Sequence, residues 1–162
     1  MPMPESVEPY LIATDSIDVE SLLAGWSSEL PNSCRLLAVS LFGDLFVAKE
    51  SGEVFIFEVT SGQLRQIATC VEEFEWDVDQ PGKQQELLMS DLAIAARAAG
   101  IIPERGECLA FQTPPILGGK LHPSNLIRWD LVKYHAGLSK LFPQLRGMAP
   151  GDQVVMKRPG LQ

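Results

Sequence analysis

Two histidines, three cysteines and one acidic run are the parts of this sequence that could do chemistry. Nucleophilic catalysis needs a Ser or Cys beside a base, and usually an acid that orients the base. His122 stands in a loop directly before Pro123, where it reads as exposed. His135 stands in the 130–141 segment with Leu131, Leu138 and Leu141 on neighbouring faces, so it reads as a helix-packed or helix-rim imidazole. Cys108 is the thiol nearest His122 in sequence, but it lies mid-strand among Leu109 and Phe111, and no GxSxG elbow is present. A small enzyme using either histidine with Asp130 is therefore the weakest reading, and no catalytic residue is expected.

Metal and phosphate chemistry fare no better. The sequence has no HxxxH, HExxH or Cys/His cluster, and the Asp77–Asp79 pair lacks the other ligands and the glycine of a calcium loop, so neither metal nor cofactor is expected. Gly118-Gly119-Lys120 superficially matches a phosphate loop. Where that motif needs an earlier glycine this chain has Thr113 or Pro114, and Leu121 replaces the Ser or Thr after the lysine. A structural turn explains the pair of glycines. Cys34, Cys70 and Cys108 are odd in number, widely spaced and set among apolar neighbours, as reduced core cysteines would be.

The acidic run is the remaining candidate. Glu72, Glu73, Glu75, Asp77 and Asp79 surround Phe74 and Trp76, and aromatic anchors ringed by carboxylates suit a protein interface. The plainer reading is a packed helix edge with a solvated acidic face. Across the chain the formal net charge is −8, unevenly spread: residues 1–90 carry sixteen Asp/Glu against four Lys/Arg, and residues 91–162 carry five against nine. An acidic half argues against nucleic acid as a direct ligand and suits a basic protein partner reached by electrostatic steering. Solubility alone would also explain it.

The elements that must position these residues follow from periodicity. Asp15 or Ser16 can cap a helix carrying Ile17, Leu22, Leu23 and Trp26 and ended at Pro31. A period of two then predicts strands over 35–41, 45–49, 53–59 and 63–68, with Gly43, Gly52 and Gly62 at the three corners. Residues 69–78 are ambiguous. A single helix over 84–99 would turn Leu87, Leu88, Leu92, Ala95 and Ala96 inward, with Gly100 as its stop. Strands follow at 107–112 and 125–129, separated by the rigid Pro114-Pro115 loop, and a helix over 131–142 ends at Pro143. The expected fold is α+β: an antiparallel meander of about four strands plus two later strands, with helices packed on one side. It forms a single domain over 15–146, between a flexible arm at 1–14 and a flexible tail at 147–162.

Several of these pieces recur in order in one family: Phe42-Gly43-Asp44, the EVFIFEVTSG hairpin, Phe74, Gly106-Glu107-Cys108, Pro114-Pro115, Leu117-Gly118-Gly119, Asn125-Leu126, Asp130 and His135. On them the chain resembles the C-terminal domain family of bacterial type VI secretion immunity proteins, which protect against a secreted DNase toxin and often follow a GAD-like domain. More distantly, its opening through Trp26–Pro31 is similar to the SUKH superfamily of immunity proteins. The resemblance spans roughly residues 20–145. It implies a non-enzymatic protein that binds and neutralises a cognate toxin. The inference from charge adds a basic partner and a contact through the acidic run.

The alternative is a small-molecule or peptide-binding module with a pocket between the Pro-Pro-x-Leu-Gly-Gly loop and the sheet. The longest apolar runs fall far short of the roughly 18 residues of a spanning helix, and MPMPESVEPY lacks the basic start and apolar run of a signal peptide. No membrane partner is expected, and the location expected is the cytoplasm. An edge strand of the meander would allow a homodimer.

Overall fold

The period-two stretches do form strands, each turned at a glycine. A computed structural model of the chain describes residues 8–146. Strands β1 (Arg35–Val39), β2 (Leu45–Ala48), β3 (Val54–Glu58) and β4 (Gln63–Ala68) make an antiparallel sheet in the order β1-β2-β3-β4. β5 (Glu107–Phe111) and β6 (Leu126–Asp130) pair separately, also antiparallel. The Leu109 N–H donates to the Leu41 carbonyl at 2.8 Å and ties the second sheet to the β1–β2 corner. The helices are α1 (Val19–Leu23), α2 (Val71–Val78), α3 (Pro81–Leu88), α4 (Ser90–Ala98) and α5 (Leu131–Arg146). The fold is α+β.

The helices occupy both faces of the main sheet, which corrects the one-sided arrangement expected from sequence. Every residue of β2 is buried, so both of its faces need cover. On one face Phe46, Ala48, Val54 and Ile56 meet Phe74 and Val78 of α2, Leu87 and Leu88 of α3, and Ala93 and Ala96 of α4. On the other, Leu45, Val47 and Phe57 meet Leu22, Trp26 and the α5 residues Tyr134, Leu138 and Phe142. Each large side chain so buried contributes about 1.5–3 kcal/mol.

Other boundaries also move. The helix cap before Leu22 is Asp18, not Asp15 or Ser16: its carboxylate accepts the Ser21 N–H at 3.2 Å. The expected single helix over 84–99 is two, because Met89 adopts a left-handed conformation (φ 49°, ψ 52°). The Gln85 side chain explains the break. Its amide oxygen accepts the Asp91 N–H at 2.8 Å and the Ser90 hydroxyl at 3.2 Å, capping α4 from within α3. The break also turns Ala95 outward. Pro143 does not end α5, which continues to Arg146. Leu141 and Phe142 stay buried across the proline, and Arg146 pairs with Glu29 at 2.9 Å, so tertiary contacts override its helix-breaking tendency.

Residues 8–12, assigned to a flexible arm, are docked. A 3₁₀ turn at Glu8–Tyr10 is followed by a bridge from Leu11 to Ser40; Leu41 N–H donates to the Tyr10 carbonyl and Ile12 N–H to the Val39 carbonyl, both at 2.9 Å. Tyr10 is buried, so the apolar ring outweighs the prolines beside it. Residues 1–7 of the arm and the expected tail at 147–162 lie outside the described residues.

Candidate partner-binding face

α2 resolves the ambiguous stretch as an amphipathic helix. Val71, Phe74 and Val78 recur at i, i+3 and i+7 and face the sheet; Phe74 packs tilted against Phe46 with ring centroids 5.2 Å apart. Glu72, Glu75, Trp76 and Asp79 recur at i, i+3, i+4 and i+7 and are exposed, Trp76 by 68%. The two aromatics expected as anchors are thus separated. Phe74 belongs to the core and is withdrawn as a contact residue, because its helical spacing with Val78 points it inward. Trp76 stands free in an acidic face.

The acids differ in role as well. Glu73 accepts both the N–H (3.1 Å) and the hydroxyl of Thr69, hydrogen bonds that hold its carboxylate below the usual range and close the N-terminus of α2. Glu73 therefore serves the helix, whereas Glu72, Glu75 and Asp79 have no ion pair among the described residues. Asp77 is half-buried. Asp77 and Asp79 sit at the C-terminal end of α2, which has no basic residue in its last turn. Acids there oppose the helix dipole at about 0.3–1 kcal/mol each. Side-chain amides satisfy that end instead: Gln84 donates to the Val78 carbonyl at 2.9 Å and Gln80 to that of Trp76 at 3.3 Å.

The family-motif residues form a framework rather than a reactive site. His135 is fully buried. Its Nδ1 accepts the Trp26 indole N–H at 2.9 Å and its Nε2 lies 2.7 Å from the Gly43 carbonyl, so the neutral Nε2–H tautomer joins α5, the turn after α1 and the β1–β2 corner. Burial pushes its pKa down to about 4. Gly43 itself has φ 97°, with the Tyr134 and His135 rings 3.5 Å from where a Cβ would stand. Asp44, also buried, accepts the Val59 N–H at 2.8 Å, and desolvation raises its pKa to about 7. Cys108 is buried with its thiol pushed upward by desolvation, and Gly106 accepts the Leu131 N–H at 3.0 Å. Asp130 caps α5 through the Lys133 N–H at 2.9 Å. His122 is turned to its own backbone, its Nδ1 accepting the Ser124 N–H at 3.1 Å. Neither histidine faces Asp130 as a catalytic pair would. Cys34 and Cys70, expected in the core, are half-buried.

The Pro-Pro loop is closed by Asn125. Its amide nitrogen donates to the carbonyls of Thr113 (2.9 Å) and Lys120 (3.0 Å), and its oxygen accepts the Thr113 N–H at 2.9 Å. Pro114 and Pro115 begin a 3₁₀ turn that Gly118 ends with φ 91°. At Gly119 a Cβ would fall 1.8 Å from the Thr113 carbonyl oxygen, so only glycine fits. Asn125 thus ties the two ends of the loop, Thr113 and Lys120, to one side chain.

A groove of about 620 Å³ lies elsewhere, between the docked N-terminal turn, α4 and residues 101–103. Ile94, Arg97 and Ile102 line it, and sequence reasoning missed all three. The only signal was an isoleucine left on the outer side of an otherwise well-phased helix.

The fold is an α+β domain that presents an exposed acidic helix face and holds its histidines in structural hydrogen bonds. Residues 68–141, from the end of β4 through most of α5, match the family model described as T6SS immunity protein Tdi1, C-terminal. The resemblance carried by the motifs is thereby shown for this segment, which includes the whole of α2. Among solved structures, the crystal structure of Atu4351 from Agrobacterium tumefaciens is similar at 16% identity and a TM-score of 0.50, over 75% of this chain and 61% of that chain. This chain thus spans under two-thirds of that protein's length, and the likeness is one of fold. No curated protein matches the sequence. Among the described residues, no helix is long and apolar enough to cross a membrane.

Proposed function

We propose that this protein is a non-enzymatic immunity protein that binds and neutralises a cognate type VI secretion toxin, and that the toxin is a nuclease with a basic nucleic-acid groove. The observation that carries the immunity role is the family match over residues 68–141. The contact surface is the outer face of α2. Glu72, Glu75 and Asp79 stand in for phosphates in the toxin's groove, and Trp76 supplies the apolar anchor that such interfaces concentrate their energy in. Two features support that face: a large aromatic left 68% exposed, and acids kept at a helix end where they cost stability. The protein acts in the cytoplasm, where it intercepts the toxin before it reaches DNA.

The test is co-expression with the toxin encoded beside it. Wild type should protect cells and bind with an affinity that falls as salt rises. The double reversal Glu72→Lys/Glu75→Lys should lose binding while keeping the fold. Protection retained in full by that variant would remove α2 as the contact; no protection by wild type would remove the immunity role itself.

A further inference from the structure

The groove beside α4 is independent of the α2 face, and its chemistry is different. Most of its lining side chains are apolar, among them Leu11, Leu41, Ala93 and the exposed Ile94 (54%) and Ile102 (52%), although a large share of its surface is polar. At about 620 Å³ it lies within the range of small-molecule sites, roughly 300–1,000 Å³. Among the described residues a single charged one lines it, Arg97.

Arg65, Arg105, Arg128 and Arg146 each hold a carboxylate, whereas Arg97, like Arg35 on the sheet, holds none among the described residues. Its helical neighbours at three and four positions are Ala93, Ile94, Gly100 and Ile101, so α4 offers it no acid. A trough lined mainly by apolar side chains, with a guanidinium that holds no carboxylate among the described residues, is complementary to an apolar chain ending in an anion. Arginine binds carboxylates through two parallel N–H donors, which fixes the polar end while the trough takes the tail.

We propose that this groove binds a monocarboxylate with an extended apolar chain, its carboxylate paired to Arg97 and its chain laid against Ile94 and Ile102. The tail covers apolar surface that is otherwise wet, and each buried methylene adds about 0.8 kcal/mol. Head and tail together make the site selective against neutral and cationic amphiphiles of equal length.

The experiment is isothermal titration of the full chain with sodium decanoate below its micellar range, beside decanol and decyltrimethylammonium. Decanoate should bind saturably at one site, decanol more weakly, and the cation not at all. Arg97→Met keeps the apolar stem and removes the charge; it should weaken decanoate binding by roughly tenfold or more and leave decanol unchanged. Ile94→Asp, at an exposed position that tolerates substitution, should weaken both. The proposal is overturned if wild type shows no saturable decanoate binding, if Arg97→Met binds decanoate as tightly as wild type, or if the cationic amphiphile binds equally well.

Discussion

The indole N–H of Trp26 donates to Nδ1 of His135 at 2.9 Å, joining residues 109 positions apart inside the core. The imidazole passes the connection on to the Gly43 carbonyl. Removing it leaves an indole N–H and a backbone carbonyl buried without partners, each costing about 1–3 kcal/mol. His135→Leu should therefore destabilise the protein by about 3 kcal/mol in urea denaturation, although it adds apolar volume. A purely steric role for His135 would predict little change.

The same histidine and its neighbour Asp44 couple stability to pH in opposite directions. His135 titrates near 4 folded and 6.5 unfolded, so below 6.5 the unfolded chain takes up a proton that the folded one refuses, and stability falls with acid until about pH 4. Asp44 titrates near 7 folded and 3.8 unfolded. Between those values the folded protein keeps a proton that the unfolded chain has lost, so stability falls as pH rises. The two effects cancel over most of pH 4–6.5 in the wild type. Asp44→Asn retains an acceptor for Val59 and removes one effect, so its stability relative to wild type should climb by up to about 4 kcal/mol between pH 4 and 7. Urea midpoints measured across that range for both proteins test this; parallel curves would show Asp44 to be ionised in the fold.

Phe74 and Trp76 are two residues apart and should behave as opposites. Phe74→Ala opens a cavity against Phe46 and should cost about 3–5 kcal/mol. Trp76→Ala should change stability by about 0.5 kcal/mol or less, yet weaken toxin binding by tenfold or more. Denaturation and a binding titration on both variants separate core from contact.

How far such roles were legible in the sequence depended on the range of the forces. The corners at Gly43, Gly52 and Gly62 were readable because a tight turn is decided by the few residues inside it. The break at Met89 was not, because it depends on the side chain of Gln85 reaching Ser90 and Asp91, and ordinary helix formers surround it. Glu73 looked like its acidic neighbours until Thr69 was seen to hold it. The pairing of Trp26 with His135 left no trace, since nothing local to either residue names the other. Two-sided burial was visible in principle: β2 and β3 together offer few polar positions, the mark of strands covered on both faces.

The Pro-Pro loop should tolerate no side chain at Gly119. Gly119→Ala drives a methyl into the Thr113 carbonyl and should cost about 2–4 kcal/mol or unlatch the loop. Asn125→Asp removes the donors to Thr113 and Lys120 and should loosen the same segment. Amide hydrogen exchange across 113–125 reads both, and unchanged protection would count against the latch.

Thiol accessibility gives an independent check on the core. In the native protein a disulfide reagent should modify the half-buried Cys34 and Cys70, while Cys108 reacts only on unfolding. Three equivalents consumed at once under native conditions would contradict the packing of β5.

The bridge between Leu11 and Ser40 has a consequence for how the molecule keeps to itself. β1 lies at the margin of its sheet, and part of its free hydrogen-bonding rim is occupied by residues 10–12 of the same chain. That stretch works as a sealing tape: peel it away and a ladder of unsatisfied amides faces outward, ready to template a neighbouring molecule. The opposite margin, β4, has no such cover from within its sheet, and displays Gln63, Arg65 and Gln66 to solvent instead. One border is closed by backbone and the other by side-chain polarity. A shortened chain beginning beyond Ile12 would expose that rim to strand addition by a second molecule.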